Sequence, residues 1–215
     1  MNAGELLRLP NLISLSRIAL APVIGYLLWQ GGEQASLISV ILMAVAGITD
    51  GLDGYLARRL GQVSRLGIAL DPIADKVFAG LLVIFLILFR DFPLWLAAVI
   101  IGRDLAILGL GALLMKGREI SLPSNLTGKY AFGTIAVLLA SYVMRFPFGI
   151  ELCTWLTVVL LAVSTINYAR VFLSVRCEEQ PPLFEDRPVY RFARTAVASL
   201  LSIWYLWELY QYLWG

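Results

Sequence analysis

Residues 49–76 read TDGLDGYLARRLGQVSRLGIALDPIADK, and they concentrate acid in a chain that is otherwise strongly apolar. The stretch holds four aspartates and three arginines, whereas 60% of the 215 residues are hydrophobic and only 15% are charged. Soluble domains are typically about 45–50% apolar and about 25% charged. The composition therefore predicts an integral membrane protein, in which a local concentration of acidic residues requires an explanation.

The apolar residues form runs that are long enough to cross a bilayer as helices, which takes about 20 residues each. Six such runs lie at 11–30, 35–59, 66–90, 92–116, 128–146 and 149–175. A seventh run, 192–214, ends in an aromatic-rich tail, and we expect it to span the membrane rather than lie at the interface. The expected fold class is an all-α membrane protein with six core helices and an extra C-terminal helix. Its domains would be 1–175, with a short amphipathic lead-in at 1–9, and 176–215, a cytoplasmic connection followed by that helix.

Basic residues are unevenly divided among the connections between these runs. The first connection, 30–34, has none, and the third has Arg90 beside Asp91. The other connections carry most of them: Arg58, Arg59, Arg65, Lys116, Arg118, Lys129, Arg170, Arg176, Arg187, Arg191 and Arg194. The positive-inside rule places those connections in the cytoplasm. We therefore expect a multi-pass protein of the cell's inner membrane, with the acidic stretch on the cytoplasmic side.

The four aspartates fall at helical spacing. Asp50 and Asp53 are three residues apart, and Asp71 and Asp75 are four apart, so each pair shares a helix face. Helix two runs out of the membrane and helix three runs back, so their facing ends can bring the four carboxylates together. An aspartate within a bilayer costs about 2.5–3.5 kcal/mol, and like charges repel. A bound hard cation, Mg²⁺ or Mn²⁺, relieves both costs with oxygen ligands alone, and the chain contains no histidine.

Small residues accompany the acidic ones. Gly54 and Ala57 lie on the same helix face as Asp50, and Gly67 occupies the matching place before the second acidic pair. Small residues in membrane helices commonly allow close helix packing. Beside a metal site and next to Arg58, they also leave room for a ligand. A metal, an arginine and bare backbone suit a diphosphate, whose charge must be neutralised at close range.

Eight positions at fixed spacing resemble the signature of the CDP-alcohol phosphotransferases: Asp50, Asp53, Gly54, Ala57, Arg58, Gly67, Asp71 and Asp75. The resemblance covers roughly residues 8–175 and implies the family's six-helix membrane core. It implies an enzyme that moves the phosphatidyl group of CDP-diacylglycerol to an alcohol and releases CMP. It also implies a homodimer, and we expect no nucleic-acid polymer as a partner.

The resemblance also implies roles for single residues. Asp50, Asp53, Asp71 and Asp75 would hold two metal ions, Mg²⁺ or Mn²⁺. Asp75 would in addition act as the general base toward the acceptor hydroxyl. Six residues would bind CDP-diacylglycerol: Asn11, Gly54, Ala57, Arg58, Ser64 and Gly67.

Three further segments bear on the acceptor alcohol. PNLISLSRIALAP, residues 10–22, resembles the opening of the glycerol-type members of the family. GRD at 102–104, with no second arginine two turns later, resembles the cardiolipin synthases more than the phosphatidylglycerophosphate synthases. TGK at 127–129 resembles an element that both groups carry near the acceptor pocket. We therefore expect Arg103 and Lys129 to bind the acceptor, with phosphatidylglycerol ahead of glycerol 3-phosphate.

A divalent-cation carrier is the alternative from another functional class. It would place acidic residues on several helices near the middle of the bilayer, often within an inverted repeat. Here the acidic residues crowd one edge of the predicted bundle, and no repeat is visible. The pattern favours the enzyme.

Overall fold

The computed structural model describes residues 9–59, 65–115, 126–176 and 188–214. Within these ranges all regular secondary structure is helical, as expected. In chain order the helices are α1 (Leu9–Gln30), α2 (Glu33–Arg59), α3 (Arg65–Phe89), α4 (Leu94–Met115), α5 (Leu126–Met144), α6 (Pro147–Arg176) and α7 (Pro188–Trp214). Most of the helix bounds agree with the bounds of the apolar runs to within two residues. This agreement is expected, because an apolar segment that is buried in lipid must form a helix to satisfy its backbone hydrogen bonds.

Two of the described helices are, by length and hydropathy, able to cross a membrane. These spans are Ile13–Gln30 in α1 and Pro147–Ser174 in α6. A shorter apolar stretch, Glu33–Thr49, forms the first part of α2. The all-helical fold class is thus confirmed, whereas the count of six core spans stays a prediction.

The chain divides into two compact units, Met1–Leu94 with Tyr142–Arg145, and Trp95–Ser141 with Phe146–Gly215. In the first unit, α1 packs against both α2 and α3. Gly25 allows the close approach of α1 to α3, since a Cβ there would lie 2.7 Å from the Phe85 ring. The buried residues of this unit are mainly small and aliphatic, and they include Ala21, Ile24, Leu28, Ala46, Leu82 and Leu86.

Arg90 joins several helix ends of the first unit. It follows α3 directly and is only 7% exposed. Its Nη1 donates to the carbonyl oxygens of Leu28 and Phe89, both at 3.1 Å. Its Nε donates to the carbonyl oxygen of Val143 at 3.3 Å, and its Nη2 to the hydroxyl of Ser36 at 3.2 Å. The last carbonyls of a helix have no partner within the helix, so one guanidinium satisfies acceptors at the ends of α1, α3 and α5.

The chain reverses direction beside Arg90. Asp91 is exposed and has a φ of 56°, a left-handed conformation that aspartate tolerates better than most residues. The turn lets the N–H of Phe92 reach the carbonyl oxygen of Leu86 at 3.2 Å. Burial, with the positive charge of Arg145 as a second cause, lowers the pKa of Arg90 below its usual value. Arg90 therefore lies in the connection between α3 and α4, as the sequence predicts. Its buried side chain stabilises the fold by donating to the ends of three helices.

In the second unit, α7 packs against α6. Aromatic rings join the start of α6 to the second half of α7. The ring centroid of Phe146 lies 5.5 Å from that of Tyr205, and Phe148 lies 4.9 Å from Trp204. Edge-to-face pairs of this kind stabilise beyond the area that they bury.

We predict that Arg90→Met lowers the free energy of unfolding by about 2 kcal/mol or more, because it leaves buried carbonyl oxygens without donors. Thermal unfolding of the purified protein in detergent measures the effect as a fall in Tm. Arg170→Met is the matched control, since Arg170 is exposed on α6, and we expect it to change stability by less than about 0.5 kcal/mol. Equal shifts for the two variants would contradict the anchoring role.

Candidate functional site

The acidic stretch lies on two helices that share a packing partner. Positions 50, 53, 54, 57 and 58 fall in the last three turns of α2, and positions 67, 71 and 75 fall in the first three turns of α3. Both helices pack against α1. Ser64 lies outside the described residues, and so do the side chains of Asn11, Asp50, Asp53, Gly54, Ala57, Arg58, Gly67 and Asp71. The roles predicted for these residues stay predictions.

Asp75 has a described side chain, and it pairs with an arginine of α1. Nη1 of Arg17 donates to Oδ1 of Asp75. The side chain of Arg17 is 2% exposed and that of Asp75 is 45% exposed. A buried guanidinium is tolerated when a carboxylate and further hydrogen bonds compensate its lost hydration. The pair therefore fixes the carboxylate of Asp75 at the edge of the packed helices while leaving part of it accessible to a ligand.

Arg17 was not singled out as a site residue from the sequence. The signal was present, because Arg17 ends the segment PNLISLSR and interrupts an apolar run. An ionisable residue within a membrane span is a functional candidate by default, and its partner is the next thing to seek. What the sequence does not contain is the pairing across 58 positions, which depends on how α1 packs on α3.

The predicted metal centre has four aspartates, of which Asp75 has a described side chain. Among the residues with described side chains, no three His, Cys, Asp or Glu residues cluster, and three of the four expected ligands are not among those residues. Positions 71 and 75 are one helical turn apart on α3, which allows both carboxylates to face one ion. The donor set is made of oxygen alone, which fits Mg²⁺ or Mn²⁺. The residues present thus fit the predicted ions.

A second polar group, in the other unit, surrounds Arg103 of α4. Its side chain is 17% exposed. Nη1 donates to Oδ1 of Asp104 at 2.7 Å, and Nη2 donates to the hydroxyl of Ser164 at 2.6 Å. The guanidinium carbon lies 5.7 Å from the ring centroid of Tyr168. Arg103 therefore contacts Ser164 and Tyr168 of α6 and also pairs with Asp104, the next residue of α4.

Helix α5 completes this group through Gly128. A Cβ at Gly128 would lie 3.5 Å from Nη2 of Arg103 and 3.8 Å from Oγ of Ser164. The Nε atom of Arg103 is buried and makes no hydrogen bond within the described part of the chain. A buried donor of this kind is a candidate for contact with an anionic group.

Lys129 is adjacent in sequence but differently placed. Its side chain is exposed, whereas that of Arg103 is mostly buried. Next to it, the hydroxyl of Thr127 accepts a hydrogen bond from Asn167 at 3.5 Å, which joins α5 to α6 a second time. The structure thus brings Gly128 of the TGK element to the Arg103 group, joins Thr127 to Asn167 of α6, and leaves Lys129 at the surface.

Ser164 and Tyr168 were missed by sequence reasoning. They are four residues apart on α6, so they share one helix face. A hydroxyl pair at that spacing inside an apolar run was a weak signal, because serine often donates to its own helix backbone. Only the packing of α4 against α6 shows that both residues face a guanidinium.

Comparisons with known proteins place these features in a family. The CDP-alcohol phosphatidyltransferase family model matches residues 7–166, which include all eight signature positions. The chain is 38% identical over 154 residues to a probable cardiolipin synthase (CMP-forming) of Drosophila melanogaster, covering 70% of this chain and 46% of that protein. It is 33% identical over 180 residues to the CDP-diacylglycerol–glycerol-3-phosphate 3-phosphatidyltransferase of Bacillus subtilis, covering 74% and 92%.

A third relative, from Aquifex aeolicus, carries the same name as the Bacillus protein and is 34% identical over 163 residues, covering 74% of this chain and 89% of its own. The chain spans about half the length of the animal cardiolipin synthases that it matches. The resemblance seen in eight positions is confirmed by a match to about three quarters of the chain. The chain belongs to the CDP-alcohol phosphatidyltransferase family.

Proposed function

We propose that this protein transfers the phosphatidyl group of CDP-diacylglycerol to a glycerol-type alcohol and releases CMP, in a metal-dependent reaction. The observation that carries the proposal is the family match over residues 7–166, within which the acidic signature occurs intact. The match favours a transferase over a cation carrier. Helices α1 to α6 would form the six-span membrane core, and the homodimer stays a proposal from the family resemblance.

The proposed reaction uses one proton acceptor and one leaving group. The acceptor hydroxyl oxygen bonds to the phosphorus that carries diacylglycerol, while the bond from that phosphorus to the bridging oxygen breaks. CMP leaves with that oxygen, and the hydroxyl proton passes to the carboxylate of Asp75. Bound Mg²⁺ or Mn²⁺ would neutralise charge on the diphosphate and on the departing CMP. Asp50, Asp53, Asp71 and Asp75 would hold the two ions.

Two further parts of the chain support this assignment. Arg17, which pairs with Asp75, would orient its carboxylate toward the acceptor. The CDP moiety would be bound at the end of α2 and the start of α3, where small residues give the backbone access to the diphosphate. The residues proposed there are Asn11, Gly54, Ala57, Arg58, Ser64 and Gly67.

We predict that Asp75→Asn lowers CMP release by about 100-fold or more, since it removes a general base and a metal ligand together. The measurement is CMP release by the purified protein at saturating Mg²⁺ or Mn²⁺. Asp91→Asn is the matched control, because Asp91 is exposed in a left-handed turn that asparagine also tolerates. Near-normal turnover of Asp75→Asn at the same expression level and Tm would refute the role of Asp75.

The acceptor is proposed to be phosphatidylglycerol, with glycerol 3-phosphate as the second candidate. The relatives' names include both kinds of synthase, so they do not separate the two. The Arg103 group favours the lipid, because the guanidinium is already balanced by Asp104 at 2.7 Å. A phosphate monoester carries close to two negative charges and would call for a second cation. A phosphodiester carries one negative charge. It could therefore be bound by the single guanidinium of Arg103, whose Nε makes no hydrogen bond within the described part of the chain.

Exposed Lys129 is the residue that would favour glycerol 3-phosphate, because it could supply the second cation at the mouth of such a site. We predict that Arg103→Ala raises the acceptor KM by about 10-fold or more, which corresponds to the loss of a charge-assisted hydrogen bond. The KM for CDP-diacylglycerol should change by less than about twofold. Equal increases in both KM values would contradict the acceptor role, and Arg170→Ala serves as the exposed-arginine control.

The protein is proposed to lie in the cell's inner membrane with the acidic stretch on the cytoplasmic side. Basic residues are more numerous in the connections that follow α2, α4 and α6, counted together with the helix ends beside them. On the opposite side, Arg90 is buried among carbonyl oxygens, although Arg145 is exposed there. This excess of basic residues in the sequence supports placing the acidic stretch on the cytoplasmic side.

A further inference from the structure

We propose that α7 is a seventh membrane-spanning helix that runs parallel to α5 and turns its outer apolar face to lipid acyl chains. The helix begins at Pro188, beyond residue 166 where the family match ends, so the proposal does not depend on the proposed activity. It requires α7 to cross the bilayer rather than lie along its surface. Since α7 is not among the two described helices that qualify by length and hydropathy alone, the crossing is argued from its packing and from the distribution of its charges. Four observations support it.

The first is a constant register between α5 and α7. Nε of Arg194 donates to the hydroxyl of Tyr130 at 2.9 Å. Eleven residues further along both helices, the hydroxyls of Tyr205 and Ser141 are 3.0 Å apart. The partners are 64 positions apart at both places. At 1.5 Å per residue, the two helices therefore run side by side, in the same direction, for about 16 Å.

The second is the sidedness of α7. The positions turned toward the rest of the second unit recur every three or four residues and are partly buried: Arg194, Ala198, Leu201, Tyr205 and Glu208. Several large apolar residues between them are exposed: Val197, Leu200, Ile203, Leu206 and Trp207. The exposed side of α7 thus carries large aliphatic and aromatic residues, together with the uncharged hydroxyl side chains of Thr195, Ser199 and Ser202.

The third is the distribution of charge along α7. A helix that lies in the membrane interface needs a strongly polar face toward water. Residues 195–207 carry no charge on any face. From Arg194 to Trp214 the helix rises about 30 Å, the thickness of the hydrocarbon core. Arginines at one end and tyrosines and tryptophans at the other are the residues that anchor a span at its two interfaces.

The fourth is a cluster of aromatic rings around Phe146, which lies between α5 and α6. The ring of Phe146 lies 5.2 Å from that of Tyr212, in addition to its contact with Tyr205. Gly149 leaves room for this cluster, since a Cβ there would lie 2.5 Å from Phe146 and 2.7 Å from Oγ of Ser141. The C-terminal part of α7 is therefore on the side of the α5–α6 connection, opposite the side on which α7 begins.

The direct test is labelling of single cysteines with a membrane-impermeant maleimide, in right-side-out and inverted vesicles. Native Cys153 and Cys177 are first replaced by alanine and serine. Phe192→Cys should be labelled from one side, Gln211→Cys from the other, and Leu200→Cys from neither. Labelling of the first and second variants from the same side would overturn the proposal.

Two reference variants assign the sides. Lys129→Cys reports the start of α5 and Glu151→Cys reports the start of α6, and both native residues are exposed. We expect Phe192→Cys to follow the first reference and Gln211→Cys to follow the second. The reverse pattern would overturn the parallel arrangement of α5 and α7.

A cross-linking pair tests the register. Thr134 and Ala198 are also 64 positions apart, so Thr134→Cys with Ala198→Cys should form a disulfide within one chain on mild oxidation. The matched control is Thr134→Cys with Ser199→Cys, because Ser199 is the next residue and is exposed. We expect at least about fivefold more cross-link in the first pair. Equal yields would overturn the register, and a disulfide between two copies of Leu200→Cys would overturn the lipid assignment.

Discussion

Burying a guanidinium in an apolar helical chain is possible only where acceptors compensate its lost hydration, and this constraint organises the described parts of the protein. Arg17 is paired with Asp75, Arg90 with the carbonyl oxygens of helix ends, and Arg103 with Asp104 and Ser164. Each pairing joins different helices or fixes a neighbouring carboxylate. Within each compact unit, these pairings help to fix how the helices are placed.

The partners of Arg90 differ from those of Arg17 and Arg103, for which functional roles are proposed. Arg90 is surrounded by backbone carbonyls and one hydroxyl, so its donors are used to close helix ends. Arg17 and Arg103 instead meet the carboxylates of Asp75 and Asp104, which are 45% and 49% exposed. A carboxylate that is paired with a buried arginine and is still about half exposed can bind a ligand. In the proposed reaction, the pairing with Arg17 would orient the carboxylate of Asp75 before substrate arrives.

Much of the fold could be predicted from the sequence, because apolar runs of the right length form helices whether lipid or protein covers them. The signature at 50–75 also identified the family, since its spacing is local to two helices. The pairings of Arg17 with Asp75 and of Arg103 with Ser164 could not be predicted, because about 60 positions separate the partners and no periodicity connects them. The burial of Arg90 could not be predicted either, because its partners Leu28, Ser36 and Val143 are also distant in the sequence.

Metal-dependent phosphatidyl transfer is the central claim, and one assay tests it most directly. The purified protein in detergent receives CDP-diacylglycerol, with phosphatidylglycerol, glycerol 3-phosphate, inositol phosphate or serine offered in parallel, before and after removal of divalent metal. The account predicts CMP release that is fastest with phosphatidylglycerol, is lost on chelation and returns with Mg²⁺ or Mn²⁺. Release that continues without metal, or that none of the four alcohols stimulates, would contradict the account.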